Sequence, residues 1–310
     1  MNPLEIPYIL RIIFAFLREQ DRDSIYRTCK IFRENYLWVD PTEAIQKCLD
    51  MPYYENRGIP MYNNRLANEI CDCVGQYINF DRYIFESACG AGNIKVVNRC
   101  LDSNVNLSSR GMFSAISIAS KNGHLSVVER LLMDPRLDPS WNNNDAICMA
   151  SKKGHVLIVD RLLMDPRVDP SDMNNEAICS ASAHGHLPVV DRLLKDHRVD
   201  PSDMNNEPIR IASENGHISV VNRLLMDPRV DPSASNNYAI CEASRMGRLS
   251  VVNRLLKDPR VDPSANNDKA IRSAARECRI LVVERLLQDP RVYPSRFQKD
   301  LEDDDHDIFD

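Results

Sequence analysis

The chain has little of what several common folds need. Only 10 of its 310 residues are glycine and only 6% are aromatic. An all-β sandwich or barrel uses more of both in its turns and core, so short helical units are expected instead. No apolar run is long enough to cross a bilayer. The longest, Ile6 to Leu17, is short and is interrupted by Arg11. It also makes a poor signal peptide, because Glu5 stands where a basic stretch is needed and no small-residue cleavage site follows. A cytoplasmic or nuclear location is the expectation, and the ten cysteines then read as reduced thiols. Basic excess is missing too. The formal charge is -6, and residues 300–310 alone hold seven acids and no Lys or Arg. The rest of the chain is close to neutral, so nothing drives sequence-independent nucleic-acid binding.

Catalytic signatures are also missing. There is no glycine-rich phosphate loop, kinase set, His-Glu-x-x-His or nucleophile elbow. The chain therefore reads as no enzyme, with no cofactor and no metal. Cys148, Cys179 and Cys241 share one repeat register. Stacked helices would set them about 10 Å apart, too far to ligate one zinc, whose sulfurs sit about 2.3 Å from the metal. They read as small semi-buried residues. Cys71 and Cys73 lack the second pair that a zinc site needs. His124, His155, His186 and His217 recur once per unit and read as inter-helix turn residues.

What the chain does have is a ruler. Gly-His or its equivalent begins at 123, 154, 185, 216 and 247, always 31 residues apart. Extending it reaches Gly92-Asn93 and Cys278-Arg279, giving seven units over residues 80–296. One unit reads NNDAICMASKKGHVLIVDRLLMDPRVDPS from Asn143, and the next NNEAICSASAHGHLPVVDRLLKDHRVDPS from Asn174. Ala146, Ile147, Ala150 and Ser151 predict a short first helix with a small-residue face that lets a neighbour approach closely. Gly154 ends it, where a left-handed residue costs least. Val156, Val159 and Leu163 form the stripe of an amphipathic second helix. Asp165-Pro166 stops that helix, and Arg167 to Asn175 is expected to form an extended hairpin or loop. One unit cannot bury both faces, so units must stack. At the last unit Cys278 takes the glycine place, which predicts a strained left-handed residue.

The Ala150-Ser151, Gly154-His155, Val189-Val190 and Leu162-Leu163 pattern resembles the ankyrin repeat. The resemblance implies paired antiparallel helices, a projecting hairpin loop and a protein-binding concave side. Two departures stand out: Asp145-Ala146-Ile147-Cys148 replaces the family's Thr-Pro-Leu-His opening, and the unit is 31 residues where the family has roughly 33. The phrase Asp-Pro-Arg-Val-Asp-Pro-Ser is similar to ankyrin proteins of large DNA viruses of amoebae, which implies host-cell targets.

Residues 1–50 leave the ruler. Ile9, Ile12, Ile13, Phe16 and Leu17 recur at helical spacing, as do Ile25, Cys29 and Phe32. With Ile6-Pro7, Ile9-Leu10, Ile13 to Leu17 and Thr28 to Arg33, the stretch resembles an F-box. Tyr8 replaces the usual acid, and the leucine usual after the central aspartate is missing. The resemblance implies docking on the Skp-type adaptor of a cullin–RING ubiquitin ligase through Pro7, Ile9, Leu10, Phe14 and Leu17. The other reading is that this apolar stretch caps the first repeat. Residues 51–79 read as a connector that can carry a helix from Leu66 to Ile78, and 297–310 as an acidic disordered tail.

The expected architecture is thus all-α, a small helical F-box-like domain followed by an ankyrin solenoid. The expected function is a protein–protein interaction adaptor, the substrate-recognition subunit of the ligase, monomeric outside the complex. An ankyrin scaffold or competitive inhibitor without ligase recruitment is the alternative. A target protein is expected on positions that vary while the core registers do not: Trp141, Asp145, Met173, Glu176, Met204, Glu207, Tyr238 and Lys269. Neutral drift on a solvated face would give the same variation.

Overall fold

The computed structural model describes residues 82–102 and 110–292. The F-box-like segment with Pro7, Ile9, Leu10, Phe14 and Leu17, the connector and the acidic tail lie outside the described residues. Two compact units divide at Trp141. The first holds helices α1 (Arg82–Ala91), α2 (Ile94–Asp102), α3 (Arg110–Asn122) and α4 (Leu125–Leu132). Here α1 packs on α3 and α2 on α4.

From Trp141 onward the helices are α5 (Trp141–Lys153), α6 (Val156–Leu163), α7 (Asp172–Ala183), α8 (Leu187–Leu193), α9 (Asp203–Asn215), α10 (Ile218–Leu224), α11 (Ala234–Arg245), α12 (Leu249–Leu255), α13 (Ala265–Arg276) and α14 (Ile280–Leu287). First helices α7, α9, α11 and α13 pack in order, and so do second helices α6 to α14. The core lies between these two layers. Ala177, Ile178, Ala181, Val189, Val190 and Leu193 are each fully buried, and every unit repeats this set with minor changes. Burying each Val, Leu or Ile contributes about 1.5–3 kcal/mol. Helices of seven or eight residues are too short to stand alone in water, so this packing is what makes them helical.

Gly185 shows how the two helices of a unit are joined. It is left-handed (φ 75°), its N–H donates to Ser182 O, and the His186 N–H donates to Ala181 O at 3.0 Å. This double closure ends α7 and redirects the chain into α8. A Cβ on Gly185 would lie 2.6 Å from His217 Nδ1 of the following unit. Cys278 has the same left-handed backbone (φ 54°) without being glycine, as its register predicts.

The join between units differs from the expected hairpin. Among the described residues no strand is present. Val168, Val199, Val230 and Val261 turn inward and are buried. Three residues of left-handed helix follow: Met173, Asn174 and Asn175 in one unit, Met204, Asn205 and Asn206 in the next. The turn closes with the Asn175 N–H donating to Ser171 O at 2.9 Å. Left-handed helix costs an L-residue about 1–2 kcal/mol. Asparagine bears it best, and two or three of the three places are Asn in every such turn, with Asp268 completing the last.

Candidate recognition surface

The left-handed turn sets the first-helix face, and a polar framework holds the turn. Asn144 Oδ1 accepts the Asp169 N–H at 2.8 Å, and its Nδ2 donates to the Asp172 carboxylate at 2.9 Å. Asn175 does the same with Asp200 and Asp203. Asn206 and Asn237 accept the N–H of Asp231 and Asp262, each at 2.7 Å. The carboxylates then act locally: Asp172 accepts the Met173 N–H at 2.7 Å, and Asp203 accepts that of Met204. At Asn144 and Asn175 both ends of the buried amide are thus engaged.

A second framework sits under each second helix. Arg198 donates through Nε and Nη2 to both oxygens of Asp196, at 2.9 and 2.7 Å, and through Nη1 to Val168 O of the preceding unit at 2.8 Å. Arg229, Arg260 and Arg291 repeat this onto Val199, Val230 and Val261. The bidentate guanidinium holds the carboxyls of Asp165, Asp196, Asp227, Asp258 and Asp289 below the ordinary aspartate value, against the opposing effect of burial. Successive second helices are tied by Arg192 on Asp160 and Arg223 on Asp191, and Arg285 donates to Asn253 at 2.7 Å.

The histidines are turn residues. His186 and His217 donate from Nε2 to Lys152 O and Ala183 O, both at 3.0 Å. Arg248 and Arg279 do the same through Nε to Glu214 O and Arg245 O. One donor per unit thus ties each turn to the helix before it.

The varied positions stand on this frame. Met173 and Met204 are 57% and 50% exposed at the turn tips, and Asn143 Nδ2 reaches the Met173 sulfur at 3.4 Å. Asp145, Glu207, Tyr238 and Lys269 are half-buried, and Glu176 is exposed with its carboxylate accepting from Ser180 Oγ at 2.6 Å. These start α5, α9, α11, α13 and α7 at one register. Trp141 is half-buried at the first residue of α5. The structure brings Tyr238 and Lys269 together, with the ammonium 5.6 Å from the ring centroid. Sequence reasoning missed the second cation there. Arg210, from the preceding unit, lies 4.6 Å from the same centroid and anchors its Nη1 on Met204 O at 3.0 Å. Its signal was visible one register on, where Arg210 and Arg272 interrupt the row of Cys148, Cys179 and Cys241.

Those cysteines are packing residues. Cys179 and Cys241 are buried and Cys148 is half-buried. Burial, reinforced by Glu176, Asp145 and Asp172, pushes the Cys148 thiol up to about 12. The thiols are therefore protonated and poor nucleophiles near neutral pH. Among the described residues no group of three or more His, Cys, Asp or Glu is placed to hold a metal ion. None of the described helices is long and apolar enough to cross a membrane.

Comparison with known proteins adds three findings. The family model for ankyrin repeats (three copies) matches residues 116–205 and again 147–236, the second match displaced by one repeat. No curated protein is similar enough to count as a match. Among solved structures, the chain is similar to an ankyrin repeat family protein from Legionella pneumophila at 19% identity, over 74% of this chain and 75% of that one, with a TM-score of 0.35.

Proposed function

Taking as premise that residues 116–236 are ankyrin repeats, which form a protein–protein interaction module, we propose that the chain is an adaptor that holds a target protein on its first-helix face. The observation that carries this reading is the contrast between frame and face. The Asn, Asp-Arg and His/Arg hydrogen bonds recur from unit to unit. The positions they present change from Asp145 and Glu176 through Glu207 to Tyr238 and Lys269. A scaffold of fixed geometry with a varied surface is what selective binding requires. Met173 and Met204 extend the same surface, and Trp141 is proposed as a further contact.

The finer part of the proposal concerns residues 1–50. Their F-box resemblance supports docking on a Skp-type adaptor through Pro7, Ile9, Leu10, Phe14 and Leu17. The chain would then bring its target to a ubiquitin ligase, which does the chemistry by proximity. Co-expression of the full chain with a Skp adaptor tests this. Wild type co-purifies with the adaptor, while a Pro7→Ala, Leu10→Ala, Phe14→Ala variant does not. Failure of folded wild type to co-purify removes ligase recruitment and leaves a binding scaffold or competitive inhibitor.

A further inference from the structure

The first-helix face of the second unit changes sign along its length. Asp145 on α5 begins it, Asp172 and Glu176 follow on α7, and Asp203 and Glu207 on α9. The same α9 then brings Arg210 to the Tyr238 ring of α11, where Lys269 of α13 arrives from the other neighbouring unit. Counted by unit, the charge at these positions goes from -1 and -2, through -1 and 0, to +1 at Lys269 and Arg272 with the buried Asp268 beside them.

The buried cysteines just behind this face feel the change. Acidic neighbours add to the upward push on Cys148 and Cys179: Glu176, Asp145 and Asp172 for the first, Glu207, Glu176 and Asp203 for the second. At Cys241 burial raises the thiol, Lys269 works against it, and Glu242 adds a smaller upward push.

Lengths fix the size of an occupant. From Glu176 to Lys269 is three repeats, about 30 Å at about 10 Å per stacked helix. An extended chain covers that span in about nine residues. Tyr238 supplies the apolar plateau, and two cations beside it give the ring an anion-attracting rim. We propose that this face takes an extended protein segment of about nine residues, basic over Glu176 and Glu207 and bearing a carboxylate over Arg210, Tyr238 and Lys269. Opposite charges at the two ends fix its direction on the repeats, and a segment with its charges reversed is repelled at both ends. The inference rests on the reading that the first-helix face is the binding surface.

The full chain is panned against a displayed library of random 12-residue peptides. Enriched peptides are expected to carry Lys or Arg clustered at one end and Asp or Glu at the other. The tightest one is then measured against wild type and a Glu176→Lys, Glu207→Lys variant whose melting temperature matches wild type. Affinity falls at least tenfold, and a peptide with its basic residues changed to Glu regains it. Enriched peptides that lose affinity in a Tyr238→Ala variant but carry no charge clusters would overturn the polarity and leave the surface. Peptides indifferent to all these substitutions, or a library yielding no binder, would overturn both.

Discussion

Asn175 and Asp203 are joined across a repeat boundary by an amide–carboxylate hydrogen bond of 2.9 Å, and the same amide accepts the Asp200 N–H at 2.8 Å. Asn175 is buried and left-handed (φ 61°), so it supplies both the conformation of the turn and the tie to the next unit. Asn175→Ala should lower stability by about 2–4 kcal/mol, from an orphaned N–H and carboxylate together with a left-handed Cβ. Asn175→Gly relieves the backbone but not the lost bonds, and should cost about 1–3 kcal/mol. Urea unfolding of the two variants separates the contributions. Equal midpoints would mean that the backbone conformation carries no cost there.

The Asp196–Arg198 clamp makes stability depend on acid. The Asp196 carboxyl is held below its unfolded value of about 3.9, first by the Arg198 hydrogen bonds. Its contribution is therefore fully present above that value and is lost as pH falls through the lower, folded one. Wild type should lose stability steeply below about pH 4, where the equivalent carboxyls protonate together. Asp196→Asn should cost about 1–3 kcal/mol at pH 7, and the gap from wild type should close as pH falls toward 2. Melting temperatures measured from pH 7 to 2 check both the sign and the window.

Gly185 and Cys278 occupy the same register with opposite consequences. A Cβ at Gly185 meets His217 at 2.6 Å, so Gly185→Ala should disturb the His217 bond to Ala183 O and cost about 2 kcal/mol. Cys278 is exposed and already bears the left-handed strain. Cys278→Gly should raise stability by about 1 kcal/mol. A lower melting temperature for that variant would contradict the left-handed assignment.

Ser120, Ser151, Ser182, Ser213 and Ser244 are fully buried, and their hydroxyls have no hydrogen-bond partner. An unsatisfied hydroxyl held away from water is unfavourable, and alanine is both smaller and a better helix former. Ser182→Ala should therefore stabilise the chain by about 0.5–2 kcal/mol. Destabilisation, read by thermal unfolding, would mean that the hydroxyl is engaged.

Much of this was legible because a repeat prints the same physics many times over. The 31-residue period, the Val-Val and Leu-Leu stripe and the glycine after each first helix point to paired helices, since apolar periodicity and a left-handed turn are written in neighbouring residues. Of the hairpin or loop expected between units, the structure has the loop, and its left-handed form was not foreseen. Asn174-Asn175 and Asn205-Asn206 carried the signal, a residue type that tolerates left-handed backbone. The arginine clamp was also missed, because Asp-Pro-Arg, as at Asp289-Pro290-Arg291, reads as a helix stop until the Val261 carbonyl is seen within reach of the guanidinium.

By itself the sequence determined which residues turn inward and where each helix begins and ends, because periodicity and backbone preference act over a few neighbouring residues. Only the tertiary structure decided what meets across units: that Asn175 reaches Asp203, that His217 roofs Gly185, and that Arg210 and Lys269 converge on Tyr238. These partners lie 28 to 32 residues apart in the chain. Stacking alone fixes their distances, since neighbouring units must close over each other's apolar faces to exclude water.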